Sequence, residues 1–127
     1  MSEPENDKAL GRIVLVVEDE FLIALELESV LTSSGFEVLG PASSVGQALD
    51  LLRSQRPDAA VLDVTLGSEK VTPVAFLLKS WDVPFVLASA SDAAELARHD
   101  VLAKALNLGK PTDMKRLVDV VQSFFSR

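Results

Sequence analysis

Short runs of apolar residues alternate along this chain with longer stretches in which apolar residues recur every three or four positions. The runs are rich in β-branched and small side chains, which is typical of strands buried on both faces of a parallel sheet. They predict strands at Ile13–Val17, Glu37–Gly40, Ala59–Leu62, Phe85–Ala88 and near Ala105–Leu108.

The stretches between these runs carry signals for the start and end of helices. Ser44-Val45-Gly46-Gln47 is a capping-box pattern, and Gly35 suits a helix C-terminus. Ser91 and Thr112 are candidate N-caps. The predicted helices run from about Glu20 to Ser34, from Ser44 to Ser54, over Val74–Lys79, over Asp92–Arg98, and from about Asp113 to Phe125.

Strands and helices in this alternation predict an α/β fold. Because crossovers between parallel strands are right-handed, the helices would cover both faces of one sheet. The sequence therefore predicts a single doubly wound (βα)₅ domain with a five-stranded parallel sheet over residues 12–127. Residues 1–11 are polar and predict a disordered leader.

Composition narrows the classes of function. At 127 residues with 48% hydrophobic content, the chain fits one globular domain. The net charge of -7 disfavours direct binding to nucleic acid, which relies on Lys and Arg. No apolar run is long enough to span a membrane, and the absence of cysteine excludes disulfides and thiolate metal sites. These features fit a cytoplasmic protein.

Chemically active side chains follow four of the predicted strands, in the order Glu18 and Asp19, Asp63, Ser89 and Lys110. Alone, each has an ordinary explanation as a helix cap, a small core residue or a solvated lysine. Together they are informative, because open α/β sheets bind ligands at the carboxyl ends of their strands.

The chemistry of such a cluster favours phosphoryl transfer. Neighbouring carboxylates repel one another, and Mg²⁺, which prefers oxygen ligands, would relieve that repulsion. An ionised carboxylate of the cluster could then attack a phosphoryl group in line without a general base. Lys110 would pair with a phosphoryl oxygen, and the Ser89 hydroxyl could donate to another.

The residues stand in motifs that resemble those of response-regulator receiver domains, the phosphoacceptor half of bacterial two-component signalling. The motifs are Val17-Glu18-Asp19-Glu20, Val61-Leu62-Asp63-Val64, Ala88-Ser89-Ala90 and Gly109-Lys110-Pro111. The resemblance extends from Arg12 to the C-terminus and implies the flavodoxin-like strand order 2-1-3-4-5. It also implies phosphorylation of Asp63 by a sensor histidine kinase, with the chain acting as a self-assisting phosphoacceptor rather than an enzyme.

The resemblance assigns further roles. Asp19 would bind Mg²⁺ directly, Glu18 mainly through water, and the Thr65 main-chain carbonyl would complete the protein ligands. Ser89 occupies the family's switch position and Lys110 its lysine position. The phosphorylated domain would bind a downstream protein target or pass the group to a histidine phosphotransferase, or the chain would be a piece of a hybrid kinase.

Two features depart from the usual receiver pattern. The spacing from Asp63 to Ser89 is about one helical turn shorter than in chemotaxis-type receivers, so the third helix should be short or irregular. This resembles stand-alone receivers with a Phe-Ala-Thr-Gly-x-Tyr signature, of which Leu87-Ala88-Ser89-Ala90 keeps only part. Asn107 stands where receivers usually carry the aromatic residue of the switch.

Two surfaces are candidate contact sites. On the first helix, Phe21, Leu22 and Leu25 point away from the predicted core and would dock a kinase. The last helix carries more apolar residues than one face needs, which suits either a homodimer or a broad buried face. Asn107 leaves open the alternative of a pseudo-receiver that acts as a phosphorylation-independent interaction module. An enzyme of similar topology is disfavoured, because no glycine-rich lysine loop is present.

Overall fold

The computed structural model describes residues 10–125. Its strands are β1 (Ile13–Val17), β2 (Glu37–Ala42), β3 (Ala59–Leu62), β4 (Thr65–Leu66), β5 (Glu69–Lys70) and β6 (Phe85–Leu87). Its helices are α1 (Phe21–Ser33), α2 (Val45–Ser54), α3 (Thr72–Ser80), α4 (Ala93–Leu96), α5 (Asp100–Ala103) and α6 (Met114–Ser123). The four long-range strands pair in parallel in the order β2-β1-β3-β6, which confirms the predicted α/β sheet and the first four positions of its order.

Alternate residues of the sheet enter two separate cores. Leu15, Ala60 and Leu62 pack with buried residues of α2, α3 and α5 on one face. Val14, Val16 and Val61 pack on the other face with Leu27 and Leu31 of α1 and with Leu117 and Val121 of α6. Because side chains of a strand point alternately to its two faces, these apolar runs require helices on both sides. The fold is therefore doubly wound, as predicted.

The prediction of a fifth strand near Ala105–Leu108 is wrong, because the sheet has four strands and this segment does not form another. This segment contributes a single parallel bridge, between Leu87 and Asn107, with Leu87 N donating to Leu106 O and Leu108 N donating to Leu87 O, both at 2.8 Å. Pairing ends there because Gly109 turns the chain with a φ of 80° and Pro111 has no N–H to donate. The segment still lies beside β6, where the fifth strand is predicted.

The structure also corrects the segments around the third and fourth strands. A small antiparallel hairpin of β4 and β5, with a turn at Gly67, precedes α3 and was not predicted. The third helix is short, as predicted, and regular. The predicted helix Asp92–Arg98 ends at Leu96, and α5 follows as a separate turn.

Two N-caps lie one residue beyond their predicted positions. Asp92, rather than Ser91, accepts a hydrogen bond from Glu95 N at the start of α4. Asp113, rather than Thr112, accepts from Arg116 N at the start of α6. Asp and Ser or Thr are comparable caps, so local sequence alone did not separate these neighbours.

The outer surfaces of α1 and α6 differ. Phe21, Leu22 and Leu25 are exposed by 76%, 73% and 50%, which confirms that they face away from the core. We call these three residues the α1 patch. Val120 of α6 and Phe124, the residue that caps its C-terminus, are partly buried against the core. The fold itself therefore uses the wide apolar stripe of the last helix. The homodimer through this helix stays a prediction.

The predicted leader lies outside the described residues, apart from Leu10 and Gly11, which form an exposed turn. Within the described range, none of the helices combines the length and apolar character needed to cross a membrane.

Candidate functional site

The residues that follow the strands meet at one edge of the sheet. Asp63, directly after β3, is only 6% exposed and donates its N–H to Val17 O of β1 at 2.9 Å. Its Oδ1 accepts a hydrogen bond from Val64 N at 2.8 Å, and its Oδ2 lies 2.9 Å from Lys110 Nζ. The Asp63 carboxylate is therefore fixed in orientation by a backbone amide and an ammonium group.

Lys110 is the cation that three carboxylates share. Its Nζ lies 2.9 Å from Asp63 Oδ2, 3.1 Å from Glu18 Oε1 and 3.4 Å from Glu20 Oε1. Burial alone would lower the pKa of Lys110, but hydrogen bonds to Asp63 and Glu18 raise it above its ordinary value. Lys110 therefore carries its charge at all physiological pH values.

Glu18 is a buried acid in an environment that does not fully compensate its charge. It is 1% exposed, and burial raises its pKa from 4.5 to about 7, although hydrogen bonds from Glu20 N and Lys110 oppose that rise. The nearby charge of Asp63 raises the pKa further. Lys110 donates a hydrogen bond to Glu18 Oε2 at 3.3 Å, while Oε1 lies 3.1 Å from the same ammonium group without a hydrogen bond from any residue in the described range. The Glu18 carboxylate is therefore held by an ion pair to Lys110, and Oε1 keeps capacity to bind a cation.

Asp19 completes an oxygen cluster that fits a hard cation. One carboxylate oxygen from each of Glu18, Asp19 and Asp63 lies within 4.8 Å of the others. Asp19 is exposed, and its Oδ2 accepts a hydrogen bond from Gly67 N at 2.9 Å, which ties it to the turn of the hairpin. Mg²⁺ binds through few carboxylates and retains several waters, so one exposed and two buried acids suit it.

A cavity of about 210 Å³ opens in front of Asp63, and we call it the strand-end cavity. It is lined by Glu20, Asp63, Thr65, Ser89, Ala90, Ser91 and Lys110. Thr65 lies two residues after Asp63, at the start of the hairpin, and its Oγ1 accepts a hydrogen bond from Lys70 Nζ at 2.9 Å. The cavity therefore places two carboxylates, an ammonium and three hydroxyl groups around one open volume.

Ser89 is buried at the end of β6, and its hydroxyl is engaged by a neighbour. Ser89 Oγ donates to Ser91 Oγ at 3.1 Å and accepts from Ser91 N at 3.1 Å. These contacts hold the Ser89 hydroxyl at the wall of the cavity, beside a second hydroxyl.

Asn107 acts as a brace between the two loops that carry Ser89 and Lys110. Its Oδ1 accepts from Ser89 N and from Gly109 N, each at 3.0 Å. Its Nδ2 donates to Ser89 O and Ser91 O, each at 3.1 Å. Phe has no polar side-chain atom and Tyr has only one hydroxyl, so neither could make all four of these bonds. The structure therefore gives this position a different physical role from that of the usual aromatic.

The α1 patch adjoins the carboxylates. A shallow cavity of about 190 Å³ lies between α1 and Pro41 and is lined by Phe21 and Leu25 together with Glu18 and Asp19. The apolar surface therefore reaches the edge of the acidic cluster.

Sequence reasoning missed three contributors to the site. Glu20 belongs to the first motif without an assigned role, yet its Oε1 lies 3.4 Å from Lys110 Nζ. Ser91 was assigned as a cap, but its hydroxyl contacts Ser89. Lys70 pairs with Glu95 across 25 positions, and no local pattern signals such a contact.

Comparison with protein families matches residues 14–122 to the response regulator receiver domain. Among curated proteins, the transcriptional regulatory protein PdtaR of Mycobacterium tuberculosis is 31% identical over 125 residues, which cover 95% of this chain and 60% of PdtaR. The sensory transduction protein LytT of Bacillus cereus is 35% identical over 114 residues, or 87% of this chain and 46% of LytT. The chain thus spans about half to three fifths of these relatives.

A solved structure gives the same likeness in three dimensions. The receiver domain of the Erythrobacter litoralis response regulator PhyR, determined by solution NMR, matches with a TM-score of 0.79 at 26% identity. The match covers 91% of this chain and 90% of that domain.

Proposed function

The chain belongs to the response regulator receiver domain family, and from that premise we propose that it accepts a phosphoryl group on Asp63 in a Mg²⁺-dependent reaction. The observation that carries the proposal is the Asp63 carboxylate, fixed by Val64 N and Lys110 at the base of the strand-end cavity. A role in relaying a signal through protein contacts follows from the family. The chain spans only about half to three fifths of its curated relatives, so their effector activities are not assigned to it.

Asp63 reacts as an ionised carboxylate, so it needs no general base. One of its oxygens forms a bond to phosphorus as the bond from phosphorus to the donor's histidine nitrogen breaks. The electron pair of the broken bond stays on that nitrogen, which takes up a proton from solvent. Lys110 Nζ, already 2.9 Å from Asp63 Oδ2, pairs with an oxygen of the transferred group.

Glu18, Asp19 and Asp63 would hold the cation, together with the Thr65 main-chain carbonyl. When bound, Mg²⁺ neutralises negative charge on the phosphoryl oxygens. The carboxylates fit this role because one oxygen of each lies within 4.8 Å of the others, and because Glu18 and Asp63 share the single charge of Lys110. The Ser89 hydroxyl would donate a hydrogen bond to the phosphoryl group after its hydrogen bond to Ser91 Oγ has broken.

We place the phosphoryl donor, a sensor histidine kinase or a histidine phosphotransferase, against the α1 patch. Phe21 and Leu25 are exposed beside Asp19, so a helical partner seated there would present its histidine to the strand-end cavity. We expect a downstream protein target to receive the signal. We expect this protein to act in the cytoplasm.

Intact-mass measurement after incubation with a small acyl phosphate tests the proposal. Wild type should gain the mass of one phosphoryl group with Mg²⁺ and none with EDTA. Asp63→Asn should gain none under either condition. Asp50→Asn, which changes an exposed aspartate of α2, is the matched control and should behave as wild type.

Failure of wild type to gain mass with Mg²⁺ would contradict the proposal. It would favour the pseudo-receiver, in which the domain binds partners regardless of phosphorylation. A gain that persists in Asp63→Asn would place the modification on another residue.

A further inference from the structure

The main chain of Ser89 is held by the side chain of Asn107, a residue 18 positions further along the chain. Ser89 N donates to Asn107 Oδ1 at 3.0 Å, and Ser89 O accepts from Asn107 Nδ2 at 3.1 Å. Both main-chain polar groups of Ser89 are therefore bonded to one amide. The same amide bonds Ser91 O at 3.1 Å and Gly109 N at 3.0 Å, so it fixes the loop after β6 against the loop that carries Lys110.

The chemistry of these four groups explains why an asparagine suits this position. The N–H groups of Ser89 and Gly109 can only donate, whereas the carbonyl groups of Ser89 and Ser91 can only accept. The position therefore needs one acceptor atom that takes two hydrogen bonds and one nitrogen that donates two. The Asn side chain has this composition, and the four partners determine which way its amide is oriented.

The Asn107 amide also continues the pairing of the sheet. Leu87 pairs with the neighbouring segment through Leu106 O and Leu108 N, each at 2.8 Å. If that parallel pairing continued along the main chain, Ser89 would bond main-chain groups of residues 108 and 110. The Asn107 side chain makes the two corresponding bonds instead. Ser89 is therefore anchored as a strand residue is, although β6 ends two residues earlier.

We propose that Asn107 is a positioning residue for phosphoryl binding, because it holds the Ser89 main chain so that the Ser89 hydroxyl reaches the phosphoryl group by side-chain rotation alone. This inference rests on the proposed phosphorylation of Asp63. The main chain is tied on both sides of the Ser89 Cα, so the loop need not be ordered when the group binds, and such preorganisation strengthens binding. Lys110 has anchors of its own in Asp63 and Glu18. The effect of Asn107 on binding is therefore exerted through Ser89.

The test measures Mg²⁺-dependent affinity for beryllofluoride, a mimic of the phosphoryl group, by titration followed with fluorine NMR. Asn107→Leu keeps the size of the side chain but makes none of the four bonds. It should bind the probe about three- to tenfold more weakly than wild type, the effect of one net hydrogen bond. Asn107→Ala is a second variant that should change the affinity in the same direction. In a Ser89→Ala background, neither substitution should weaken binding further.

The fluorine spectrum separates positioning from a general structural effect. The fluorine atoms of the bound probe have different neighbours, and Ser89→Ala identifies the resonance of the fluorine beside the Ser89 hydroxyl. Asn107→Leu should move that resonance and leave the resonances of the other fluorine atoms in place. A general loosening of the site would move all of them.

Asp58→Ala is the matched control for lost stability. Asp58 Oδ2 accepts a hydrogen bond from Ile13 N at 2.8 Å, at the start of β1 and thus at the edge of the sheet opposite the strand-end cavity. Its removal should lower the midpoint of thermal unfolding, followed by Trp81 fluorescence, and leave the affinity for the probe unchanged. The same measurement confirms that the Asn107 variants are folded.

Unchanged affinity in the folded Asn107 variants, or a loss of affinity that persists in the Ser89→Ala background, would overturn the inference. An equal loss of affinity in Asp58→Ala would also overturn it, because reduced stability alone would then account for the effect. If wild type itself does not bind the probe, the proposed function fails and the inference fails with it. If wild type binds and the Asn107 variants match it, only the inference is overturned.

Discussion

Replacing Glu18 with glutamine should stabilise the metal-free protein at alkaline pH. Burial raises the pKa of Glu18 from 4.5 to about 7. Between these two pH values the Glu18 carboxyl group is therefore protonated in the folded protein and ionised in the unfolded chain. When the folded-state pKa lies above the unfolded value, the associated stability is fully present below the unfolded pKa. It is lost as the pH rises through the folded-state pKa, because the buried carboxylate then has to ionise.

The size of this effect follows from the pKa change. A rise from 4.5 to about 7 corresponds to roughly 3 kcal/mol between the two protonation states. The amide side chain of the Glu18→Gln variant cannot ionise and escapes that loss. We therefore expect Glu18→Gln to raise the free energy of unfolding by about 2–3 kcal/mol near pH 8.5, and by much less near pH 5.

Urea denaturation followed by the fluorescence of Trp81, the only tryptophan, measures the free energy of unfolding. The samples contain EDTA, and the pH is varied across the neutral range. Glu26→Gln, at an exposed position of α1, is the matched control and should follow wild type.

Wild-type stability that does not fall between mildly acidic and alkaline pH would refute the reasoning. So would a Glu18→Gln protein that is less stable than wild type at alkaline pH. Added Mg²⁺ should stabilise wild type more than Glu18→Gln, because a cation that binds only the folded state adds more stability the more tightly it binds.

Lys110, Asn107 and the α1 patch give three further expectations. Lys110→Met should lower the free energy of unfolding in urea by about 2 kcal/mol, because it leaves Asp63 and buried Glu18 without their cation. Asn107→Ala should lower the midpoint of thermal unfolding, with a loss of about 1–3 kcal/mol, since it removes donors and acceptors from two loops. The double variant Phe21→Ser, Leu25→Ser should slow phosphoryl transfer from a histidine kinase but leave labelling by a small acyl phosphate unchanged. Equal loss of both reactions would contradict docking at the α1 patch.

The positions of the strand ends could be predicted from the sequence because each depends only on a short run of neighbouring residues. Buried parallel strands are short apolar runs, and the residue after such a run falls at one edge of the sheet whatever the distant contacts are. This is why the positions of Glu18, Asp63 and Ser89 agree with the sequence prediction. The exposure of Phe21 and Leu25 followed from helical periodicity in the same way.

The segments that were mispredicted depend on contacts between distant residues. The Ala105–Leu108 run has the composition of a strand, but Asn107 uses its side chain to brace neighbouring loops, and pairing is confined to one bridge. The hairpin has strands of only two residues, too short for a periodic signal, and the Lys70–Glu95 pair that ties it down lies 25 positions apart. Tertiary contacts decide such features, and they are not encoded in any short window of sequence.

The hydrogen bond from Gly67 N to Asp19 gives the protein a built-in spectroscopic reporter. Asp19 belongs to the carboxylate cluster, while Gly67 is an exposed turn residue that no cation would contact through its amide. When a cation draws charge from the Asp19 carboxylate, the acceptor weakens and the chemical shift of the Gly67 amide must move. The occupancy of the acidic cluster can therefore be followed at a glycine of the hairpin turn, in unmodified protein and without any added label.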